Sequence, residues 1–493
     1  MSSYVVFSKS AHAPTTVRSH AGESTGVIPR CFTRLKPVQS RELNPNATQL
    51  SSVHLPVKHA PIPVQLFETN RERLKQLLPK HSLAVVNAND VLPTNADGTL
   101  PLHANTDLFY LTGIEQEESI LLLCPEAADE KLRTVLFLRE PSAHLKIWEG
   151  HKLSKAEATK ISGIASIKWL SEFRTVFHLL MCEAEEVFLN TNEHKRAVVE
   201  VQTRDARFVQ DCQARYPLHR YQRLARLMHR LRVVKSEPEL ALLQQAIDIT
   251  DQGFRRVLKC VRPGVNECEV EAEFAREFIR RRATFAYNPI IAAGANACVL
   301  HYNENDQPCR KGQLLLLDVA ARYANYNADL TRTIPVSGRF TRRQKKVYNA
   351  VLQVMRASIA GAVVGKLHRD WQKEAQAMMN EELLQLGLIT ARDLKKQTPD
   401  EPACRKYFMH GLGHPLGLDV HDVGFSTEPF AAGWVLTVEP GIYLPEEGFG
   451  VRLENDILLT ENGPVDLMAD IPVEADEIEE LMKTDANFDF QNA

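Results

Sequence analysis

Four consecutive leucines, Leu314 to Leu317, run straight into an aspartate, Asp318. An apolar run of that kind reads as a strand, and an ionised carboxylate is rarely buried without a partner. Any fold that buries this strand must therefore supply Asp318 with a cation or a proton. A second acid opens the next strand-like stretch, Asp329-Leu330-Thr331-Arg332-Thr333-Ile334. The turn between them, around Tyr323-Ala324, is equidistant from the two aspartates. A simple antiparallel hairpin is expected to set Asp318 and Asp329 opposite each other, with Cβ atoms about 5 Å apart.

The pattern returns downstream. Trp434 to Glu439 and Gly450 to Leu459 flank the turn-like Pro445-Glu446-Glu447-Gly448, with Glu439 and Glu454 again equidistant from its centre. Four carboxylates packed that closely repel one another and would take up protons in an apolar interior. Two divalent cations would cancel the charge. One such acid alone is most simply a salt-bridge or turn residue. Two matched ribbons in one chain are not explained that way.

The rest of the chain bounds what surrounds this centre. A length of 493 residues implies two domains plus appendages. A net charge of -3 gives no electrostatic reason to expect nucleic acid. The nine cysteines include no Cys-x-x-Cys pair, which suits a reducing compartment and argues against a thiolate zinc site. No apolar run approaches the roughly 20 residues that span a bilayer, so a soluble, cytoplasmic protein is expected. Residues 1–60 carry seven Lys or Arg against two acids, a basic leader expected to be disordered or to act in organelle import.

Residues 61–230 alternate short apolar runs (Leu83 to Val86, Ile120 to Leu123, Thr134 to Leu138) with helical stretches, an N-terminal mixed α/β domain. Asn105 to Gly113 reads first as core, because aromatics at such spacing are more often buried, with part of a pocket wall as the alternative. Tyr221 to Arg232 reads as a basic helix with a solvated face. Ser236 with Glu239 is a capping box, and Pro238 suits the first turn of a new helix. The catalytic domain is expected over 231–483, with a tail over 484–493. Two helices are expected within 236–282 and two more over 341–362 and 369–387.

His410-Gly411-Leu412-Gly413-His414-Pro415-Leu416-Gly417-Leu418-Asp419-Val420-His421 places three histidines on one loop. The interleaved glycines and proline argue against a helical zinc motif and for a backbone that passes close to a ligand. A lone histidine is usually structural, but three beside four matched carboxylates point to chemistry.

With Asp318 and Asp329 upstream and Thr437 to Tyr443 and Val451 to Asp456 downstream, this loop resembles the proline-directed pita-bread metallopeptidases, the Xaa-Pro aminopeptidase (aminopeptidase P) and prolidase family. The resemblance implies an α/β (α+β) architecture with a C-terminal pita-bread domain. It implies Asp318, Asp329, His414, Glu439 and Glu454 as ligands of two divalent cations, Mn2+ first, with Co2+, Zn2+ or Fe2+ compatible with the same donors. It places His301, His410, His421 and Arg452 at the substrate together with Tyr443. Among these, His410 is first choice for stabilising the oxyanion, and Glu454 is the proton carrier. The implied partners are peptides with proline in second position, and the implied assembly is a homo-oligomer, dimer or tetramer. A prolidase restricted to dipeptides is the alternative. A non-catalytic binding protein of the same fold would be expected to have lost ligands, and none is lost here. Two positions depart from the family pattern: Ala320, where the family usually has Gly, and Pro415, where a large apolar residue often follows the metal-binding histidine.

Overall fold

The computed structural model describes residues 58–191, 193–194 and 199–483. The expected leader, up to residue 57, and the tail 484–493 lie outside them.

Helix α1 (Val64–Leu77) buries Leu66, Phe67 and Leu74 on one face. Six short strands follow: β1 (Ser82–Asn87), β2 (Ile120–Leu123), β3 (Thr134–Leu138), β4 (Ser166–Trp169), β5 (Glu186–Leu189) and β6 (Arg220–Arg223). They form one mixed sheet in the order β4-β3-β2-β1-β5-β6. β1 and β2 are buried at every position, which is why the sequence there shows apolar runs rather than alternation. The connecting helices include α2 (Thr106–Thr112), α3 (Ala143–Trp148), α4 (Lys155–Ser162), α5 (Phe173–Glu183) and α6 (Arg204–Arg215). Asn105 caps α2 by accepting the Leu108 N–H, and the helix packs into the core, as its aromatic spacing suggests.

The basic segment differs from expectation. Tyr221 lies in strand β6, and only Ala225–Arg232 is helical, as α7. Nor is its basic face wholly solvated, because the Arg232 side chain is 4% exposed and ion-paired. Pairing with β5 through the Glu186↔Arg220 register claims the first residues for the sheet.

Beyond residue 236 the helices match the sequence pattern closely. α8 (Glu237–Cys260) begins with the Ser236–Glu239 capping box, α9 is Glu267–Arg280, α10 is Arg342–Gly361 and α11 is His368–Gln385. They cover small sheets built from β7 (Thr284–Phe285), β8 (Ile290–Ala293), β9 (Leu314–Asp318), β10 (Ala321–Tyr323), β11 (Tyr326–Asn327), β12 (Thr331–Pro335), β13 (Val435–Val438), β14 (Gly441–Leu444), β15 (Phe449–Arg452), β16 (Asn455–Thr460) and β17 (Gly463–Asp466). One large core joins α8–α11 to these sheets. A second core runs from α1 and the six-stranded sheet to Leu416, Leu418 and Val435, so the histidine loop rests on both halves of the chain.

Arg332 of β12 lies fully buried at the centre. Its guanidinium donates to the carbonyls of Pro472 (2.8 Å), Thr331 (3.0 Å) and Glu454 (2.7 Å) and to Asn455 Oδ1 (2.8 Å). Burial lowers its pKa, but four acceptors keep the cation satisfied. Replacing Arg332 by Met is expected to destabilise the fold by about 3 kcal/mol or more, because several carbonyls lose their donor at once. Denaturant unfolding of the purified chain checks this; an unchanged midpoint would count against a structural role for Arg332.

Candidate active site

The first acid-bearing ribbon is β9 and β12 continued through β10 and β11 to a two-residue turn, Ala324-Asn325, with φ of 49° and 67°. Two successive left-handed residues make the tight hairpin turn that matches the twist of its strands. This turn is centred one residue later than the sequence reading expected. Asp318 therefore faces Thr331, and Asp329 lies diagonally across, opposite Ala320. A one-residue shift at the turn moves the register by two, so both aspartates still project from the same face. Ala320 adopts no left-handed backbone conformation, so an alanine in place of glycine costs no backbone strain there.

In the second ribbon, β13 with β16 and β14 with β15 keep one register across a break between sheets: Val438 pairs with Asn455 and Gly441 with Arg452. Its continuation sets Glu439 across from Glu454, as expected. The ribbons are stitched together at Thr331, whose carbonyl accepts the Glu454 N–H (3.0 Å) while its hydroxyl donates to Glu454 Oε2 (2.6 Å).

The histidine loop lies along β13. The Leu416 N–H donates to Val435, Thr437 N–H to His414, and Glu439 N–H to Leu412. A Cβ on Gly413 would come within 2.0 Å of the Thr437 carbonyl oxygen, so only glycine permits this approach. The flanking residues carry the ladder, so Pro415 costs it no donor; its ring instead packs close to Gly424.

These elements bring Asp329, Glu454 and His414 together, with ligating atoms within 4.8 Å of one another. His414 Nε2 is 3.5 Å from Asp329 Oδ2 and 3.7 Å from Glu439 Oε1. His414 Nδ1 is 3.0 Å from the Pro415 carbonyl, an acceptor only, so the proton is on Nδ1 and the Nε2 lone pair faces the acids. Asp318 pairs through Oδ2 with Arg452 (2.6 Å), while its Oδ1 is buried without a hydrogen-bond partner. Burial, followed by the neighbouring carboxylates, raises Asp329 and Glu454 well above the usual range. Asp456, fully buried beside them and accepting the Asp329 N–H, is pushed up by burial too. The sequence reading gave Asp456 no role. Crowded acids, an orphaned carboxylate oxygen and a directed imidazole lone pair form an oxygen- and nitrogen-donor set that fits divalent cations and contains no thiolate.

A cavity of about 540 Å³ opens onto these groups and is lined by all five expected ligand residues together with His301, His410, His421 and Arg452. His301 and His421 are exposed at the rim, and the His421 ring lies 4.0 Å from that of His414. His410 is more constrained than expected. Its Nδ1 donates to the Gly411 carbonyl (2.8 Å), so Nε2 accepts from the Tyr443 hydroxyl (2.7 Å). Burial and then Arg452 lower its pKa to about 4, and it is neutral. Tyr443 does not line the cavity. It is fully buried, with its pKa pushed up to about 12 mainly by burial, and its oxygen also accepts from Arg452 (2.8 Å). It stands behind His410 and Arg452 and orients both.

The sequence matches metallopeptidase family M24 over residues 241–461 and the aminopeptidase P N-terminal domain over residues 67–188. It is 33% identical to the Xaa-Pro aminopeptidase of Haemophilus influenzae, covering 86% of this chain and 98% of that protein. The Escherichia coli Xaa-Pro aminopeptidase is also 33% identical, with 85% and 97% covered. The chain belongs to the aminopeptidase P family. Among solved members, proline aminopeptidase P II of Yersinia pestis superposes with a TM-score of 0.76 at 31% identity, covering 86% of this chain and all of that one. Zinc-substituted E. coli aminopeptidase P, bound to product, gives 0.74 at 32% identity over 86% of this chain and 99% of that one. As an M24 metallo-aminopeptidase this protein has the expected pita-bread fold, binds divalent metal and is a hydrolase rather than a non-catalytic relative. No helix among its described residues is long and apolar enough to cross a membrane.

The raised carboxyls give metal binding a pH dependence. Protons are held on Asp329 and Glu454 in the metal-free protein at pH values where ordinary carboxyls have lost them, and a cation must displace them. Adding Mn2+ or Zn2+ to the metal-free protein at about pH 6 is expected to release protons to an indicator dye, with affinity rising as pH rises. Binding without proton release at that pH would show that the acids are already ionised.

Proposed function

We propose that this enzyme removes the N-terminal residue from peptides with proline in second position, the activity for which its H. influenzae and E. coli relatives are named. The observation that carries this reading is the convergence of Asp329, His414 and Glu454 on one cavity, with Glu439 and Asp318 at its edge and three further histidines around it. The proposed ligands of two divalent cations are Asp318, Asp329, His414, Glu439 and Glu454. Mn2+ is the first choice, and Co2+, Zn2+ and Fe2+ suit the same donors. When bound, such a pair supplies Lewis acidity and makes water a stronger nucleophile near neutral pH.

The chain's own residues supply the remainder. His301, without a hydrogen-bond partner in the described structure, and His421 are the groups we assign to the proline side of the peptide, a reading supported by their exposed position in the cavity lining. Both nitrogens of His410 are already committed, so it can donate to an oxyanion only by exchanging a bond, and His301 is the freer donor. Glu454 has Oε2 occupied by Thr331, leaving Oε1 to carry a proton to the departing proline nitrogen. That nitrogen belongs to a tertiary amide with no N–H and a readily reached cis form, a shape the pocket can select.

The division at residue 230 assigns the chemistry to residues 231–483, and every residue lining the cavity falls beyond it. The eight cysteines among the described residues are all free thiols, which supports a reducing, cytoplasmic setting. Exposed Ile147 and Trp148 at the end of α3 support a homo-oligomer, and sedimentation of the full chain as a monomer would refute that part of the reading.

Asp329→Asn and His414→Ala are each expected to lower hydrolysis of Arg-Pro-Pro by more than about a hundredfold without unfolding the protein. Wild-type, chelator-resistant cleavage by either variant would overturn the proposed ligand set. A prolidase would cleave Gly-Pro and leave the tripeptide intact, so cleavage of the tripeptide separates the two.

A further inference from the structure

Arg232 and Lys235, at the junction of α7 and α8, enclose a fully buried carboxylate on the histidine loop. Arg232 Nη2 is 2.6 Å from Asp422 Oδ1 and 2.7 Å from Asp419 Oδ2, while Nη1 reaches Asp107 (2.7 Å) and Thr106 (2.9 Å) at the start of α2. Lys235 Nζ completes the cage at 3.1 Å from Asp422 Oδ2, with both side chains 1% exposed. Gly417 leaves room for this carboxylate, since a Cβ there would lie 2.3 Å from Asp422 Oδ2. Against the cost of burial, Lys235 and Arg232 hold the Asp422 carboxyl below its usual range.

A buried ion cluster is weak as a stabilising device, because apolar residues of similar volume often serve as well. What distinguishes this one is where its backbone leads. The Asp422 N–H donates to the Pro415 carbonyl at 2.9 Å, and that same carbonyl accepts the His414 Nδ1 proton at 3.0 Å. Asp422 thus clamps the oxygen that fixes the tautomer and the ring plane of His414. Asn327 secures the intervening backbone by donating through Nδ2 to the carbonyls of Gly417 (3.0 Å) and Leu418 (2.9 Å).

We infer that Asp422, held by Arg232 and Lys235, is a positioning residue that aims His414 Nε2 at the cation through the Pro415 carbonyl. The inference rests on the ligand role proposed above for His414. Because Arg232 also grips Thr106 and Asp107, the N-terminal half of the chain takes part in setting the imidazole, although none of its residues lines the cavity. A partner that orients a ligating imidazole affects metal affinity typically 10–100-fold.

The test uses the full chain stripped of metal and titrated with Co2+, whose visible absorption reports ligand geometry. Asp422→Asn and Arg232→Lys are each expected to retain the wild-type circular dichroism spectrum. They should bind Co2+ about 10–100-fold more weakly, with an altered absorption band, and show a kcat that falls in step. A folded variant with wild-type Co2+ affinity and spectrum, even with a lower melting temperature, would reduce the cluster to structural glue and overturn the inference. If Asp422→Asn does not fold, Arg232→Lys decides by the same titration, since it keeps the charge but cannot bridge Asp107, Asp419 and Asp422 at once. His414→Ala separates the two readings. Undiminished Co2+ binding there defeats the ligand assignment, whereas lost binding there with normal binding in the other variants defeats the clamp alone.

Discussion

Carboxyl groups crowded into a largely buried centre organise this molecule. Asp329, Glu454 and Asp456 are almost wholly buried, and Asp318 leaves one carboxylate oxygen without a partner. Mutual repulsion would drive the ribbons that carry them apart. Backbone bonds instead hold them together: Glu454 donates to the Thr331 carbonyl, and the buried Arg332 guanidinium gathers the carbonyls of Thr331, Glu454 and Pro472. Arg332 adds a positive charge behind the ribbons without entering the cavity, so the acids remain free to face inward.

Around this centre the side chains divide their tasks by exposure. His301 and His421 lie at the rim, His410 lies deeper, and Tyr443 is sealed behind it. The Tyr443 hydroxyl joins His410, Arg452 and, through Arg452, Asp318 into one hydrogen-bonded row. A group lining the cavity and a group bound to an acid are thereby fixed relative to each other. Pre-orientation of this kind is what a hydrolytic site requires, since little rearrangement is left for the moment of reaction.

Most of this arrangement can be read locally in the sequence. Buried strands announce themselves as apolar runs, α8 by its capping box, and the two acid pairs by their spacing about a turn. The register of the first ribbon differs from the simple hairpin because Ala324, a residue not often found in the left-handed region, shares the turn with Asn325. The shift keeps the parity of the strand, so the acids remain on one face. The ion cluster around Arg232 is not legible in the sequence for a different reason. Its partners Asp107, Asp419 and Asp422 lie more than a hundred residues away, and a basic stretch beside them has no local sign of burial. Thr331 and Thr437 read as ordinary strand residues, although each places a hydroxyl beside the site.

The break between the two ladders of the second ribbon has a consequence for how this protein can vary. Glu439 and Glu454 are anchored from below by β13 with β16 and from above by β14 with β15, so the tip between Leu444 and Phe449 bears no responsibility for their alignment. Chain length there is free to drift among related proteins without disturbing the acids. The first ribbon is held at Asp318 by the β9–β12 ladder, which pairs it with Thr331, two residues beyond Asp329 in the chain.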